Sequence, residues 1–291
     1  MTFQLKDTNT GSTLATTTVT VQSQSPTPVG AGVYDDRDSH LIYSGTWSQN
    51  NETDLYATTQ SFSNQPSNSV SLTFTGTTVA YVYAMCYNIG KTEVRIDGSL
   101  VDTIDGYLYG PISNPNFNWQ KIAVYSGLST GNHTITVTAT SQKNASATDN
   151  YTTIDAFIVG QIYNDSASGF TYYAGWSTSV GYPVFWGGDQ HYTDTPGYYV
   201  SRNFTGSSAT VIFTYAPNAG IAQVTVDGVV VGTIDQYGPN VNSTDPTYFR
   251  ISRTYSGFSS GTHQLKVTCT GNYNPLSTYL GINIDAVITP Q

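Results

Sequence analysis

The chain is poor in charge. Only 10% of its 291 residues are charged, against roughly 25% in an average soluble protein. Ten Lys and Arg face 19 Asp and Glu, for a net charge of −9, so nucleic acid and anionic membrane surfaces are not expected partners. Long apolar runs are missing too. None approaches the ~18 residues that a membrane-crossing helix needs, so membrane insertion is not expected. Cysteine is scarce: Cys86 and Cys269 do not correspond between the two repeats of the chain, and each reads as a lone buried thiol. Four histidines (His40, His133, His191, His263) leave little room for a histidine-based metal centre or triad. No nucleophilic-serine motif, His-Glu zinc motif or phosphate-cradling glycine loop occurs, so enzyme activity is not expected. The opening MTFQLKDTNT carries no apolar signal core. With the Lys-poor, Thr- and Asn-rich composition, it leads us to expect a piece of a longer secreted or cell-surface protein, with other domains of that protein as neighbours.

Aromatics and glycine are plentiful, with 23 Tyr, 11 Phe, 4 Trp and 27 Gly. They are organised by a repeat. Phe74-Thr75-Gly76 recurs as Phe204-Thr205-Gly206, and Val94-Arg95-Ile96-Asp97-Gly98 as Val224-Thr225-Val226-Asp227-Gly228. Tyr125-Ser126-Gly127 returns as Tyr255-Ser256-Gly257, and Ile154-Asp155-Ala156 as Ile284-Asp285-Ala286, all at an offset of 130. Two copies of one domain are expected, at 31–160 and 161–291, with a short junction at Phe157 to Tyr163 and no flexible linker. Residues 1–30 read as a hairpin about Asn9-Thr10-Gly11 plus a linker, the tail of a preceding domain. Within each copy the apolar period is two, as in Ser69-Val70-Ser71-Leu72-Thr73-Phe74, and Asp-Gly turns join strands. No segment carries a capped 3.6-residue period. Each copy is therefore expected to be an all-β sandwich of about eight or nine strands, with a jelly roll as the leading topology.

Candidate chemistry lies in loops and buried carboxylates. Asp97 and Asp227 sit in Asp-Gly turns and serve their backbone geometry. His133 and His263 recur at one turn and are expected to brace it. Asp155 and Asp285, flanked by Ile and Ala in each closing strand, are either hydrogen-bonded by a neighbouring loop or ligate a cation. Aromatic rings concentrate in two polar loops. One carries Tyr107, Tyr109 and Phe117 ahead of Trp119, which aligns with Phe249 in copy two. The other carries Tyr182, Phe185, Trp186 and Tyr192. Flat rings stack on the C–H face of a sugar while Asn, Gln and Asp bond its hydroxyls, although each ring could equally cap the core. Trp47 and Trp176 recur in a shared Tyr-x-x-x-Trp context and are assigned to the core.

The Tyr34-Asp35-Asp36 opening, Tyr43-Ser44-Gly45-Thr46-Trp47, Phe-Thr-Gly, Val-x-x-Asp-Gly, Gly-x-His and the closing Ile-Asp-Ala together resemble the jelly-roll, galactose-binding-like carbohydrate-binding modules of families 6 and 35. The resemblance implies a sugar contact at Asn283, where copy one has Thr153 instead. It also implies structural calcium, held in copy one by Asp36, Asp38 and Asp155. In copy two only Asp165 and Asp285 remain, with Ala167 in the second place, and calcium there is expected to be weaker or absent. The function expected is a non-catalytic tandem module that binds polysaccharide through Trp119, Tyr107 and Tyr109 in copy one and Tyr182, Trp186, Tyr192, Phe249 and Asn283 in copy two. The alternative is a structural or adhesive repeat of a stalk, adhesin or fibre with no glycan site.

Overall fold

The computed structural model describes residues 26–109, 117–239 and 248–290, together with the backbone of two N-terminal strands. Those two strands, Thr2–Lys6 and Thr13–Thr18, pair antiparallel as a hairpin. Its turn and the linker before residue 26 lie outside the described residues. The described chain is all-β: antiparallel sheets, with two three-residue 3₁₀ turns at Tyr56–Thr58 and Trp186–Gly188. Among the described residues no helix is long and apolar enough to cross a membrane.

Alternation in the sequence builds the first sheet of copy one. In Ser69–Thr75, Val70, Leu72 and Phe74 are buried while Ser71 and Thr73 between them are only partly so. This strand joins Ile42–Ser44, Asn132–Ala139, Lys91–Ile96 and Ser99–Asp105 in a five-stranded sheet. The last two meet across Asp97-Gly98, whose φ values of 51° and 79° are the paired left-handed conformations of a two-residue hairpin turn. Copy two repeats this at Asp227-Gly228, with φ of 51° and 78°. Facing the five-stranded sheet are Gly32–Asp35, Thr78–Met85, Asn118–Ser126 and Ala156–Val159. Val70, Leu72, Phe74, Ile135 and Val137 from one sheet pack with Val79, Tyr81 and Phe157 from the other in a single core. Trp47 packs against it, as Trp176 does against the core of copy two.

Thr78–Met85 does not alternate; all eight residues are buried. The reason is a second buried face. Val79, Tyr81 and Tyr83 enter the sandwich core, whereas Ala80 and Val82 join a separate cluster with Ile122, Ile158, Ile212 and Ile288. That cluster draws on both copies, because their inner sheets are one sheet. Asn118–Ser126 pairs with Ile251–Ser256 at Lys121↔Ile251, giving eight continuous strands that run from Gln161–Asn164 at one edge to Gly32–Asp35 at the other. Ile122 N donates to Arg250 O (3.2 Å) and Ser252 Oγ to Gln120 O (2.8 Å) across this seam. The junction between copies is one residue, Gly160, lying between the strands Ala156–Val159 and Gln161–Asn164. A Cβ there would stand 2.4 Å from Thr289 O, so only glycine fits.

Each copy also has a three-stranded sheet at one end: Ser48–Asn51, Thr59–Ser63 and Thr152–Ile154 in copy one, and Ser177–Val180, Asp189–Thr193 and Ile282–Ile284 in copy two. Asp155 and Asp285 are expected inside a closing strand. Instead each marks the point where the chain leaves this small sheet for the eight-stranded one. These end sheets carry the candidate site.

Candidate functional site

In copy one a cavity of about 270 Å³ opens over the three-stranded sheet. Phe62 and Tyr151 stand edge to face on one side, with ring centroids 5.6 Å apart. Phe117 and Trp119 stand on the other, stacked at 4.5 Å with their planes 7° apart. Gln60 forms part of the floor. It is only 5% exposed, and its Oε1 is buried without a hydrogen-bond partner among the described residues, as is Asn50 Oδ1 at the rim. A buried amide oxygen without a donor is costly, by about 1–3 kcal/mol, so both are points of unspent polarity beside the cavity.

The corresponding cavity of copy two, about 320 Å³, is lined by Ser179, Gln190, Tyr192, Asn218 and Asn283. Here Asn283 is fully engaged. Asn283 Oδ1 accepts from Gln190 Nε2 (2.9 Å) and from Thr214 N (2.8 Å), and its Nδ2 donates to Thr214 O (2.9 Å). Asn283, expected to contact sugar, thus ties the closing strand to its neighbours. Copy one puts Thr153 in that place, and its Oγ1 accepts from Ala84 N (3.0 Å).

Of the rings expected at the binding edge, Trp119 lines the copy-one cavity and Tyr192, 44% exposed, lines that of copy two. Tyr182 is exposed and touches Phe185 edge-on; Tyr109 is 80% exposed and Tyr107 partly buried, and none of the three lines either cavity. Two placements are corrected. Phe249 is buried, 4% exposed, with its ring against Phe185 at 5.3 Å. Trp186 packs partly buried on the cluster shared by both copies, its backbone N–H held by Asp285 Oδ1 (2.8 Å) and the Arg250 guanidinium 5.6 Å from its ring. Residues 110–116 of the first aromatic loop lie outside the described residues. Phe62 and Tyr151 were not foreseen as site residues; the signal was the aromatic pair Phe62 and Tyr192 at the repeat offset.

The carboxylates gather differently from expectation. Asp36 is fully buried, with one oxygen accepting from Thr59 Oγ1 (2.5 Å) and the other from Ser61 Oγ (2.7 Å). Asp155 lies beside it, accepting from Tyr56 N on one oxygen while Oδ1 has no partner. Asp38 does not join them; it turns to His40 at 2.7 Å. Asp35 joins instead, sharing the Thr59 hydroxyl with Asp36. Burial, then the charge of Asp36, push the Asp35 carboxyl up to about 6. Burial, with the charges of Asp35 and Asp36 behind it, raises Asp155 well above the usual carboxylate range. In copy two, Asp165, Asp189 and Asp285 are neighbours, and burial raises Asp165 and Asp285. There His191 Nδ1 meets Asp165 at 2.8 Å, in the place where copy one has Ser61. Hard carboxylate oxygens suit calcium. Among the described residues, however, no three His, Cys, Asp or Glu side chains already converge as a ligand set.

A Ser-His-Asp constellation also appears in both copies. His133 Nδ1 is 2.7 Å from Asp97, and His263 Nδ1 2.7 Å from Asp227; their Nε2 atoms lie 3.4 and 3.1 Å from Ser129 Oγ and Ser259 Oγ. Yet each Nε2 also lies 2.9 or 3.1 Å from the carbonyl of the same serine. A ring nitrogen that donates to a carbonyl is not free to take a hydroxyl proton. Both nitrogens serve as donors, the bond to aspartate raises the histidine pKa, and the ring braces its turn.

No family model matches the chain. Two curated relatives do, both from Flavonifractor plautii. An A type blood alpha-D-galactosamine galactosaminidase is 26% identical over 262 residues, covering 86% of this chain and 22% of its own length. An A type blood N-acetyl-alpha-D-galactosamine deacetylase is 32% identical over 116 residues, covering 40% of this chain and 14% of its own. The chain thus spans under a quarter of either. Among solved structures, a Paenibacillus xanthan lyase is similar at a TM-score of 0.35 and 19% identity, over 94% of this chain and 28% of that one. The expectation of a protein without enzyme activity is corrected by the two curated relatives, which are both named as enzymes acting on carbohydrate.

Proposed function

We propose that this chain is a glycan-binding part of a secreted or cell-surface enzyme that acts on carbohydrate, built as two tandem jelly-roll, galactose-binding-like sandwiches. One observation carries the binding reading: four rings, Phe62, Tyr151, Phe117 and Trp119, line one cavity together with the amide side chains of Asn50 and Gln60. Rings for the sugar's C–H faces and amides for its hydroxyls are what a carbohydrate site requires. Copy one is the principal site, because four rings line its cavity where Tyr192 is the one ring lining that of copy two among the described residues. The relatives' names make glycans ending in alpha-galactosamine or N-acetyl-alpha-galactosamine the first probes. Calcium is a separate proposal for copy one, at Asp35, Asp36 and Asp155, supported by the open Oδ1 of Asp155. Affinity electrophoresis against those glycans and against xylans, glucans, mannans, galactans and pectins tests the binding reading. Retardation that Trp119→Ala abolishes supports it; a blank across the whole panel overturns it.

A further inference from the structure

The two rings that wall the copy-one cavity wall a second one. A cavity of about 500 Å³ lies at the seam between the copies, lined by Phe117, Trp119 and Asp54 from copy one and by Tyr237, Asp235 and Arg253 from copy two, among others. A stacked pair offers one outer face of each ring, and Phe117 and Trp119 border both spaces. The far wall is held firmly. Asp235 accepts from Tyr237 N (3.0 Å) and from Asn274 Nδ2 (2.7 Å). Arg253 uses one nitrogen on Ser252 O (2.9 Å) and another on Tyr215 Oη (3.2 Å), which leaves some of its five N–H donors for a ligand. Glu52, Asp54 and Asp235 outnumber Arg253, so the combined groove carries a negative excess.

We infer that the glycan groove of copy one continues past Trp119 across the seam, and that copy two supplies its far end. The occupant is an extended neutral oligosaccharide: rings and hydroxyl-bonding groups line the whole path, and the negative excess disfavours uronate or sulfated chains. The seam thereby acquires a purpose, since strand pairing at Lys121↔Ile251 fixes Arg253 and Tyr237 relative to Trp119. The pseudo-equivalent cavity on the other side of the seam is different in kind. It offers buried Phe249 and Lys121 and partly buried Arg250, with no stacked ring pair among its lining residues.

This inference rests on the proposed glycan binding and refines its ligand. The test is calorimetry of the intact chain with length ladders of neutral xylo-, manno- and galacto-oligosaccharides, beside an oligogalacturonate ladder. Affinity is expected to rise at least tenfold from disaccharide to pentasaccharide in a neutral series, and the uronate ladder to bind more weakly. Tyr237→Ala, or Thr233→Trp placed to plug the seam cavity from an exposed position, should flatten that rise and leave disaccharide affinity unchanged. A rise that survives both variants, or a length-independent affinity in the wild type, overturns the inference while leaving the copy-one site standing. Failure of every ladder to bind overturns the inference, and failure of the alpha-galactosamine- and N-acetyl-alpha-galactosamine-terminated probes as well overturns both.

Discussion

Phe249→Ala separates rings that hold the fold from rings that meet a ligand. Phe249 aligns with Trp119 in the repeat, so sequence alone gives both the same role. In the structure Phe249 is 4% exposed and packs edge to face on Phe185, while its carbonyl accepts from Lys121 Nζ at the seam. Truncating a buried Phe costs about 3–5 kcal/mol. Phe249 lines a cavity of about 310 Å³, so less packing is lost there and the lower end applies. At about 2–4 °C per kcal/mol for a unit of 150–250 residues, roughly 3 kcal/mol lowers Tm by about 6–12 °C. Differential scanning calorimetry reads this directly, and oligosaccharide titration of the folded variant below its transition reads the binding. The expected result is a large fall in Tm with affinity unchanged. A variant with wild-type Tm and abolished binding would refute the assignment of Phe249 to the core.

Further outcomes follow from the same contacts. Gly160→Ala should destabilise by about 1–3 kcal/mol, as overpacking does, because its Cβ would meet Thr289 O at 2.4 Å; a urea midpoint equal to the wild type would contradict this. The turn braces predict a pH window. A histidine whose folded pKa is raised stabilises below its unfolded value, about 6.5, and loses this as pH rises through the raised one. Asp97 and Asp227, lowered by the histidine bond, contribute above about 3.9 and lose this as pH falls through the lowered value. The braces thus act fully between about pH 4 and 6.5, and in Asp97→Asn an NMR titration should show His133 falling back toward its ordinary pKa; an unmoved titration would sink the brace. For calcium, added cation should raise Tm and chelator lower it, with the difference gone in Asp36→Asn; a Tm indifferent to chelator, with no metal by elemental analysis, would exclude the copy-one site.

The repeat, the strand alternation and the Asp-Gly hairpins were legible because each is a local pattern. Val70, Leu72 and Phe74 announce a face, and Asp97-Gly98 a turn. The seam was not legible. The pairing of Lys121 with Ile251 joins strands 130 residues apart, and both read as ordinary sandwich strands. Only in retrospect does the unbroken burial of Thr78–Met85 betray that its second face is covered. The loop rings were half legible. Sequence marks Trp119, Trp186 and Phe249 as aromatic and loop-borne, but exposure depends on what folds over them. Copy two has Phe185 to cover Phe249, where copy one has the smaller Leu55. The cavity lining was invisible for a similar reason: Phe62 and Tyr151 are far apart in sequence and meet only because Thr152–Ile154 pairs with Thr59–Ser63.

The central claim is that copy one binds glycan on Trp119, and titration of wild type and Trp119→Ala with alpha-galactosamine- and N-acetyl-alpha-galactosamine-terminated oligosaccharides tests it most directly. Withdrawing an aromatic platform worth about 1.5–3 kcal/mol should cost about 10–100-fold in affinity, with Tm little changed because Trp119 is only partly buried. Equal affinity in the two proteins, or no binding by the wild type to these probes or to any polysaccharide of the wider panel, would contradict it.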